Sequence, residues 1–334
     1  MEEIEVKREE ENTKAHESVM DYDQGFTPRY EKKVKVVKET EPEPEVPEQE
    51  DDDAAKSGSV QENTETKETK DTNEVEKAKV SNFAITVDTD IWNQIARLLH
   101  AIRANAQLSL DRNGMHVRMT DAAHVAMVTI DVPRENLREL DLPDNDTKFA
   151  VDLETFPKMK NGSTMGIRRH NSGYDLEVSC NGLEYTVPEI EATTPVEKLP
   201  ELNYEDYAVV GVDALRKFIG AAKSLTDAFR ITFDPYNVEL KSQNDTNAIR
   251  AVLTKEYGLT DSRIREKCRS SYPTEYVEKL LKAVTTVTEM KLEIKDDYPL
   301  KATFWLPETV AKAKGYYAHG VIPCTYLLAP RMEQ

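Results

Sequence analysis

The side chains with chemical potential in this sequence are mostly cations at helical spacing. Four amphipathic stretches carry basic residues away from their apolar stripes: Arg97 with Arg103, Lys158 with Lys160, Arg216 with Lys217, and Lys279 with Lys282. The third also places Gly220 on its polar side. Taken singly, each pair is what any solvated helix shows. Gathered on one side of a sheet, they would form a basic surface that attracts phosphates without reading bases. Catalytic patterns are missing by comparison: the chain has no GxxxxGK[ST], GxGxxG, CxxC or HExxH. His116 and His124 have no evident third metal ligand, so packing or surface roles are expected for them. Asp296 and Asp297 precede Tyr298-Pro299, where carboxylates favour a turn over a catalytic dyad. A binding protein is expected rather than an enzyme, with no cofactor and no metal.

The elements that position these residues are written twice. A strand at 84–88 leads into a helix over 91–104, with Trp92, Ile95, Leu99 and Ile102 on its apolar stripe and Asp90 as its N-cap. Strands at 106–110, 111–119 and 124–130 follow, then a loop with one helical turn over 134–146 and a strand at 148–152. A short helix is expected at 153–160, stopped by Asn161-Gly162, before strands at 164–169, 174–180 and 183–187. The pattern restarts about 123 residues later: strand 208–213, helix 214–225, strands 229–233 and 238–241, and helix 273–286. Strands at 291–295, 300–305, 315–318 and 325–328 end the chain. That offset is too long for a solenoid and implies a duplicated domain. The expected class is α+β, two similar domains of antiparallel sheets with helices on one face. The domains span 81–188 and 205–334, and the connector at 189–204 is stiffened by Pro195 and Pro200.

Charge separates a further segment. Residues 1–80 hold 25 acidic and 13 basic side chains, a net of −12, leaving 37 against 31 in the remainder. With so few apolar residues this stretch cannot offset chain entropy, and a disordered acidic tail is expected. Its short apolar islands at 19–30 and 34–37 leave a partner-docking peptide open beside a plain solubilising tail. Cys180, Cys268 and Cys324, odd in number and unpaired in spacing, suit buried thiols in a reducing cytoplasm. No run approaches the roughly 18 apolar residues of a membrane helix. The opening MEEIEVKREE lacks a signal-peptide core, so an intracellular protein is expected.

Several segments resemble the sliding clamps of archaea and eukaryotes, the proliferating cell nuclear antigen family. Tyr326-Leu-Leu-Ala-Pro-Arg331 is similar to that family's C-terminal YxLAP[KR] signature, and Asp296-Asp-Tyr-Pro-Leu-Lys301 before an apolar strand also matches. Asp121-Ala-Ala-His-Val resembles its D-[SP]-[SA]-[HN]-V segment, and Asn181-Gly-Leu-Glu-Tyr-Thr-Val187 the last strand of a clamp's first domain. The likeness spans about 82–333 and does not include the tail. It implies a head-to-tail ring of three identical subunits around double-stranded DNA, in the cytoplasm of an archaeal cell or a virus-infected archaeal host. DNA polymerase, a clamp loader and other clients would bind through short peptide motifs.

By the same resemblance, the client pocket falls on His124, Val125, Met127, Leu199, Leu202, Pro299, Leu328, Ala329 and Pro330. The subunit interface would pair Gly182, Leu183, Tyr185 and Val187 with Ile249, Ala251 and Leu253 of the next subunit. Leu327 stands where many relatives carry a second tyrosine, and Gly220 replaces a basic residue. Two other functions compete with the DNA-encircling clamp. One is a clamp-like scaffold that does not encircle DNA; the other is a metal-dependent hydrolase using Asp296 and Asp297.

Overall fold

The computed structural model describes residues 82–144, 146–169, 175–191, 200–308 and 322–332. The acidic tail, Leu199 with most of the connector, and the strand expected at 315–318 lie outside the described residues.

Alternation sets the first strand: in β1 (Phe83–Asp88), Phe83, Ile85 and Val87 are buried between half-exposed neighbours. The chain turns directly into α1 (Thr89–His100), two residues earlier than expected. Asp88 is therefore the N-cap, while Asp90 lies buried in the first turn, its Oδ2 accepting the Gly162 N–H at 3.2 Å. Trp92, Ile95 and Leu99 are buried as the stripe requires, with Ile91 and Leu98; Ile102 falls past the helix end. Then come β2 (Asn105–Asp111), β3 (Gly114–Thr120) and β4 (Ala126–Pro133). The third begins after His124, which instead occupies a turn with φ 55°. Within the expected loop, a 3-10 turn over Arg134–Asn136 leads to β5 (Leu137–Asp141), paired with β1. Only Leu137 of this strand is fully buried, so its charged neighbours masked it.

After β6 (Asp146–Asp152) the structure departs from expectation: 153–163 is a turn and extended chain, not a helix. Pro157 has no N–H to donate and biases Phe156 away from helical geometry. Asp152 Oδ1 takes the Glu154 N–H at 2.9 Å, and Asn93 on α1 donates to the Met159 carbonyl at 2.8 Å. The strands β7 (Thr164–Arg169), β8 (Asp175–Cys180) and β9 (Leu183–Pro188) complete the half. Asn181 and Gly182, with φ 52° and 76°, make the hairpin turn that an Asn-Gly pair favours.

The second half runs β10 (Tyr207–Gly211), α2 (Val212–Ala222), β11 (Ala228–Asp234), β12 (Asn237–Gln243), β13 (Ala248–Leu253) and β14 (Leu259–Arg263). It continues with β15 (Cys268–Pro273), α3 (Thr274–Ala283), β16 (Glu289–Glu293), β17 (Leu300–Leu306) and β18 (Ile322–Leu328). The first half forms a sheet ordered β5-β1-β7-β8-β9 and a strand set β4-β3-β2-β6. The second repeats both orders, as β14-β10-β16-β17-β18 and β13-β12-β11-β15. The halves join where β18 pairs antiparallel with β4, fusing two of these sets into one nine-stranded sheet.

The β2–β3 turn illustrates how tightly local chemistry sets this register. Asp111 Oδ1 accepts the N–H groups of Asn113 and Gly114 at 2.7 and 3.2 Å. Gly114 has φ 143°, and a Cβ there would lie 2.0 Å from the Val132 carbonyl oxygen. Gly114→Ala is expected to lower unfolding free energy by about 2 kcal/mol or more, measured by denaturant titration, because strain and a backbone clash combine.

Candidate functional site

The cations do not all play one role. Arg97, Lys158, Lys279 and Lys282 are exposed and surround a single depression between α1, α3 and the 153–158 turn. Lys158 and Lys160 reach solvent from a loop, contrary to the helical placement expected for them. Arg216 is half-buried: its guanidinium donates to the Leu281 and Val284 carbonyls at 3.4 and 2.7 Å, completing the C-terminus of α3. Arg103, past the end of α1, donates to the Asn105 carbonyl at 3.1 Å. Lys217 is exposed on α2 beside the bare Gly220. Carboxylates stand close to three of these cations: Arg216 with Asp213 at 2.9 Å, Lys279 with Glu275 at 2.6 Å, and Lys282 with Glu278 at 2.8 Å. Ion pairs at the surface are individually weak.

Apolar pocket candidates collect on the other face of the nine-stranded sheet. Met127 lies opposite Leu327, which lies opposite Lys301 on β17. The Ala329 N–H donates to the Val125 carbonyl at 2.8 Å, drawing Ala329 and Pro330 beside the turn that carries His124. Pro299 is tied to the connector's end by the Tyr204 hydroxyl, 2.8 Å from its carbonyl, with Leu202 two residues away. The rings of Tyr204 and Tyr298 meet edge to face at 5.4 Å. Leu328 is wholly buried, so its side chain belongs to the core beneath this groove rather than to its lining.

Asp121 holds the groove's turn, a role sequence reading missed. Its Oδ1 accepts the Val125 and Ala126 N–H groups, both at 2.7 Å, and its Oδ2 that of Ala123 at 3.2 Å. The Tyr276 hydroxyl on α3 donates to Oδ2 at 2.9 Å. Burial alone would raise the Asp121 pKa, but these donors together bring it below the ordinary carboxylate value. An Asp two to five residues before a strand was the available signal; its tyrosine partner lies 155 positions away.

The two expected interface strands lie at sheet edges, since β9 pairs only with β8 and β13 only with β12. Gly182 is in the turn before β9, Leu183 is 58% exposed, and Tyr185, Ile249 and Ala251 are half-buried. Val187 and Leu253 are already buried within the protomer and add backbone edge, not free apolar surface.

Asp296 and Asp297, the carboxylates of the hydrolase reading, sit in a turn. Asp296 Oδ1 accepts the Arg269 N–H at 2.7 Å, and Asp297 takes φ 49°, as turn residues do. No group of three metal-ligating side chains occurs among the described residues. His116 is held between Asp131 at 2.8 Å and Asp111 at 3.1 Å. Cys180 and Cys324 are buried, and burial pushes the half-buried Cys268 thiol up to about 11. No helix among the described residues is long and apolar enough to cross a membrane.

Two like halves, helices and cations on one side of the sheets and an apolar groove on the other, define a clamp-type binding protein. No family model matches the chain. It is 30% identical over 247 residues to the DNA polymerase sliding clamp of Thermoplasma acidophilum, covering 72% of this chain and 95% of the relative. The fold is similar to PCNA from Thermococcus kodakaraensis, with a TM-score of 0.66 at 24% identity, covering 75% of this chain and all (100%) of that one. It is also similar to A. fulgidus PCNA bound to the C-terminal region of FEN-1, with a TM-score of 0.65 at 21% identity, covering 75% and 99%. The chain belongs to the DNA polymerase sliding clamp family.

Two measurements check this geometry. Asp121→Asn places an amide N–H₂ where a carboxylate oxygen accepts, so stability should fall by about 1–3 kcal/mol in denaturant titration. For His116, burial acts to lower the pKa, but hydrogen bonds and charge from Asp131 and Asp111 outweigh it and raise the value above 6.5. Its contribution to stability should be full below about pH 6.5 and fade as pH rises through the raised value. Denaturation of wild type and His116→Gln from pH 5 to 9, with the ring proton shifts followed by NMR, reads this directly.

Proposed function

We propose that the protein is a DNA polymerase processivity factor that closes as a ring of three subunits around duplex DNA and tethers replication and repair enzymes through its apolar groove. The carrying observation is that each protomer contains the required joint once and leaves both halves of a second open. Strand orders make β9 the counterpart of β18, and β13 that of β4. Because β18 pairs with β4 inside the chain, the equivalent join is β9 of one subunit with β13 of the next. A head-to-tail joint of this kind closes when its rotation divides a full turn, and it covers both open edges.

The internal joint also supplies a register. Leu176 opposite Val187 corresponds to Leu300 opposite Leu328, making Tyr185 the counterpart of Tyr326. Val117 opposite Ile130 corresponds to Leu240 opposite Ala251, making Ile249 the counterpart of Val128. Since Tyr326 faces Val128 and Thr325 faces Thr129, Tyr185 faces Ile249 and Glu184 faces Arg250 across the subunit contact. Apolar side chains then meet on the helix side and opposite charges on the outer side.

Within the ring, enclosure holds the DNA, so phosphate contacts stay weak enough to slide, and each groove gives a client high local concentration. A loader and polymerase are the clients this geometry serves. Sedimentation tests the reading: the native particle should have the mass of three 38.0 kDa chains. Glu184→Arg should raise the concentration for half-dissociation at least about fivefold, because like charges across strands repel, and adding Arg250→Glu should restore it. A monomer at every concentration would leave the clamp-like scaffold as the function. Unchanged assembly in both variants would reject the register.

A further inference from the structure

The internal repeat is broken after β6, and that break shapes a site. In the second half β15 is followed by the helix α3; in the first, its counterpart β6 is followed by the Pro157 turn. Where a second helix would have packed beside α1, the chain leaves a depression of about 760 Å³. Its floor is apolar, with Ala96, Leu153 and Pro157 lying over the buried Trp92–Phe156 pair, whose rings are 4.9 Å apart. Its rim carries four cations, Arg97, Lys158, Lys279 and Lys282, against one carboxylate, Glu154, with His100 beside them.

We infer that this depression seats an unpaired nucleotide of single-stranded DNA, its base against the apolar floor and its flanking phosphates on the four rim cations. The inference rests on the helix side of the sheets facing DNA, as the proposed function requires. A duplex shows phosphates and hides its base faces, so it engages only the rim. An unpaired nucleotide is anionic and also exposes a flat apolar ring, which matches floor and rim together. Lys279 becomes available by exchanging the exposed Glu275 for phosphate, and Lys282 by exchanging the half-buried Glu278, which keeps Lys223 at 2.7 Å. Both amide hydrogens of Asn93, the neutral polar side chain on the wall, are committed, to the Met159 carbonyl at 2.8 Å and Asn161 Oδ1 at 2.7 Å. That amide has no hydrogen left to donate to a base edge. Such a site would engage a strand where it leaves the duplex, and so favours a primer–template junction over continuous duplex.

Fluorescence anisotropy of the full chain with three probes tests this: a thymidylate oligomer, an abasic oligomer of equal charge, and a duplex. Thymidylate should bind at least about fivefold more tightly than the abasic strand, the difference being the base contacts. Ala96→Leu, which fills the floor without removing a cation or adding an aromatic face, should abolish that preference and leave duplex affinity unchanged. Equal affinity of the wild type for the two single strands, or a preference that survives Ala96→Leu, overturns the proposal. Photocrosslinking of the wild type with iodouracil-containing strand gives a readout independent of variant folding. Adducts within 93–101 or 153–158 support the site, and adducts confined elsewhere overturn it. Lys279→Ala with Lys282→Ala separates the two readings. If duplex affinity and its salt dependence do not fall, the DNA-facing assignment of the helices fails; if they fall while thymidylate and abasic strands bind alike, only the nucleotide seat fails.

Discussion

A sheet edge carries backbone N–H and C=O groups that something must satisfy, and in this protein that demand organises everything else. Inside the chain it is met where β18 lies along β4, with Tyr326 and Cys324 buried against Val128 and Ile130. The joint is continuous with both halves, so strands of each share one nine-stranded sheet. The same demand stays unmet at β9 and β13, the two strands that occupy equivalent places in the repeat. Duplication thus does more than double the core: it repeats, at β9 and β13, the two edges that β18 and β4 join within the chain.

The two sides of the sheet are not independent. The Tyr276 hydroxyl reaches from α3 to Asp121, and the same carboxylate holds the turn that presents His124 and Val125 to the groove. A second fastening lies at the start of the connector, where buried Arg169 donates to Glu189 at 2.8 Å and to the Lys148 carbonyl at 2.6 Å. That guanidinium also stands 5.0 Å over the Phe83 ring. Removing either partner of a buried pair strands the other's charge, which is far costlier than the pair is stabilising. These contacts set where the connector leaves the first half and where the groove begins.

Electrostatics on the helix side are restrained rather than strong. Arg216 is absorbed into completing α3, and the lysines of that helix sit beside glutamates one turn away. A sliding protein needs this: contacts of a few tenths of a kcal/mol each guide a polyanion without pinning it. The Pro157 turn is the exception in an otherwise repeated design, since it opens apolar surface among the cations.

Periodicity and turn chemistry made much of this legible in the linear chain. The repeat, the buried stripes of Trp92, Ile95 and Leu99 and of Val277, Leu280 and Leu281, and the Asn181-Gly182 hairpin all follow from local preferences that neighbours do not overrule. The family is legible in the joint order of Asp121–Val125, Asn181–Val187, Asp296–Lys301 and Tyr326–Arg331. β5 escaped because a strand with a single fully buried side chain has no alternation to detect. The helix expected at 153–160 failed because Pro157 and hydrogen bonds from distant Asn93 outweighed its apolar spacing. Tertiary structure alone decided that Arg216 is structural, that Leu328 is core, that Asp121 answers to Tyr276, and that four cations from three segments share one rim. Local sequence sets which backbone shapes are cheap, but burial and partnership depend on what other parts of the chain bring to the same place.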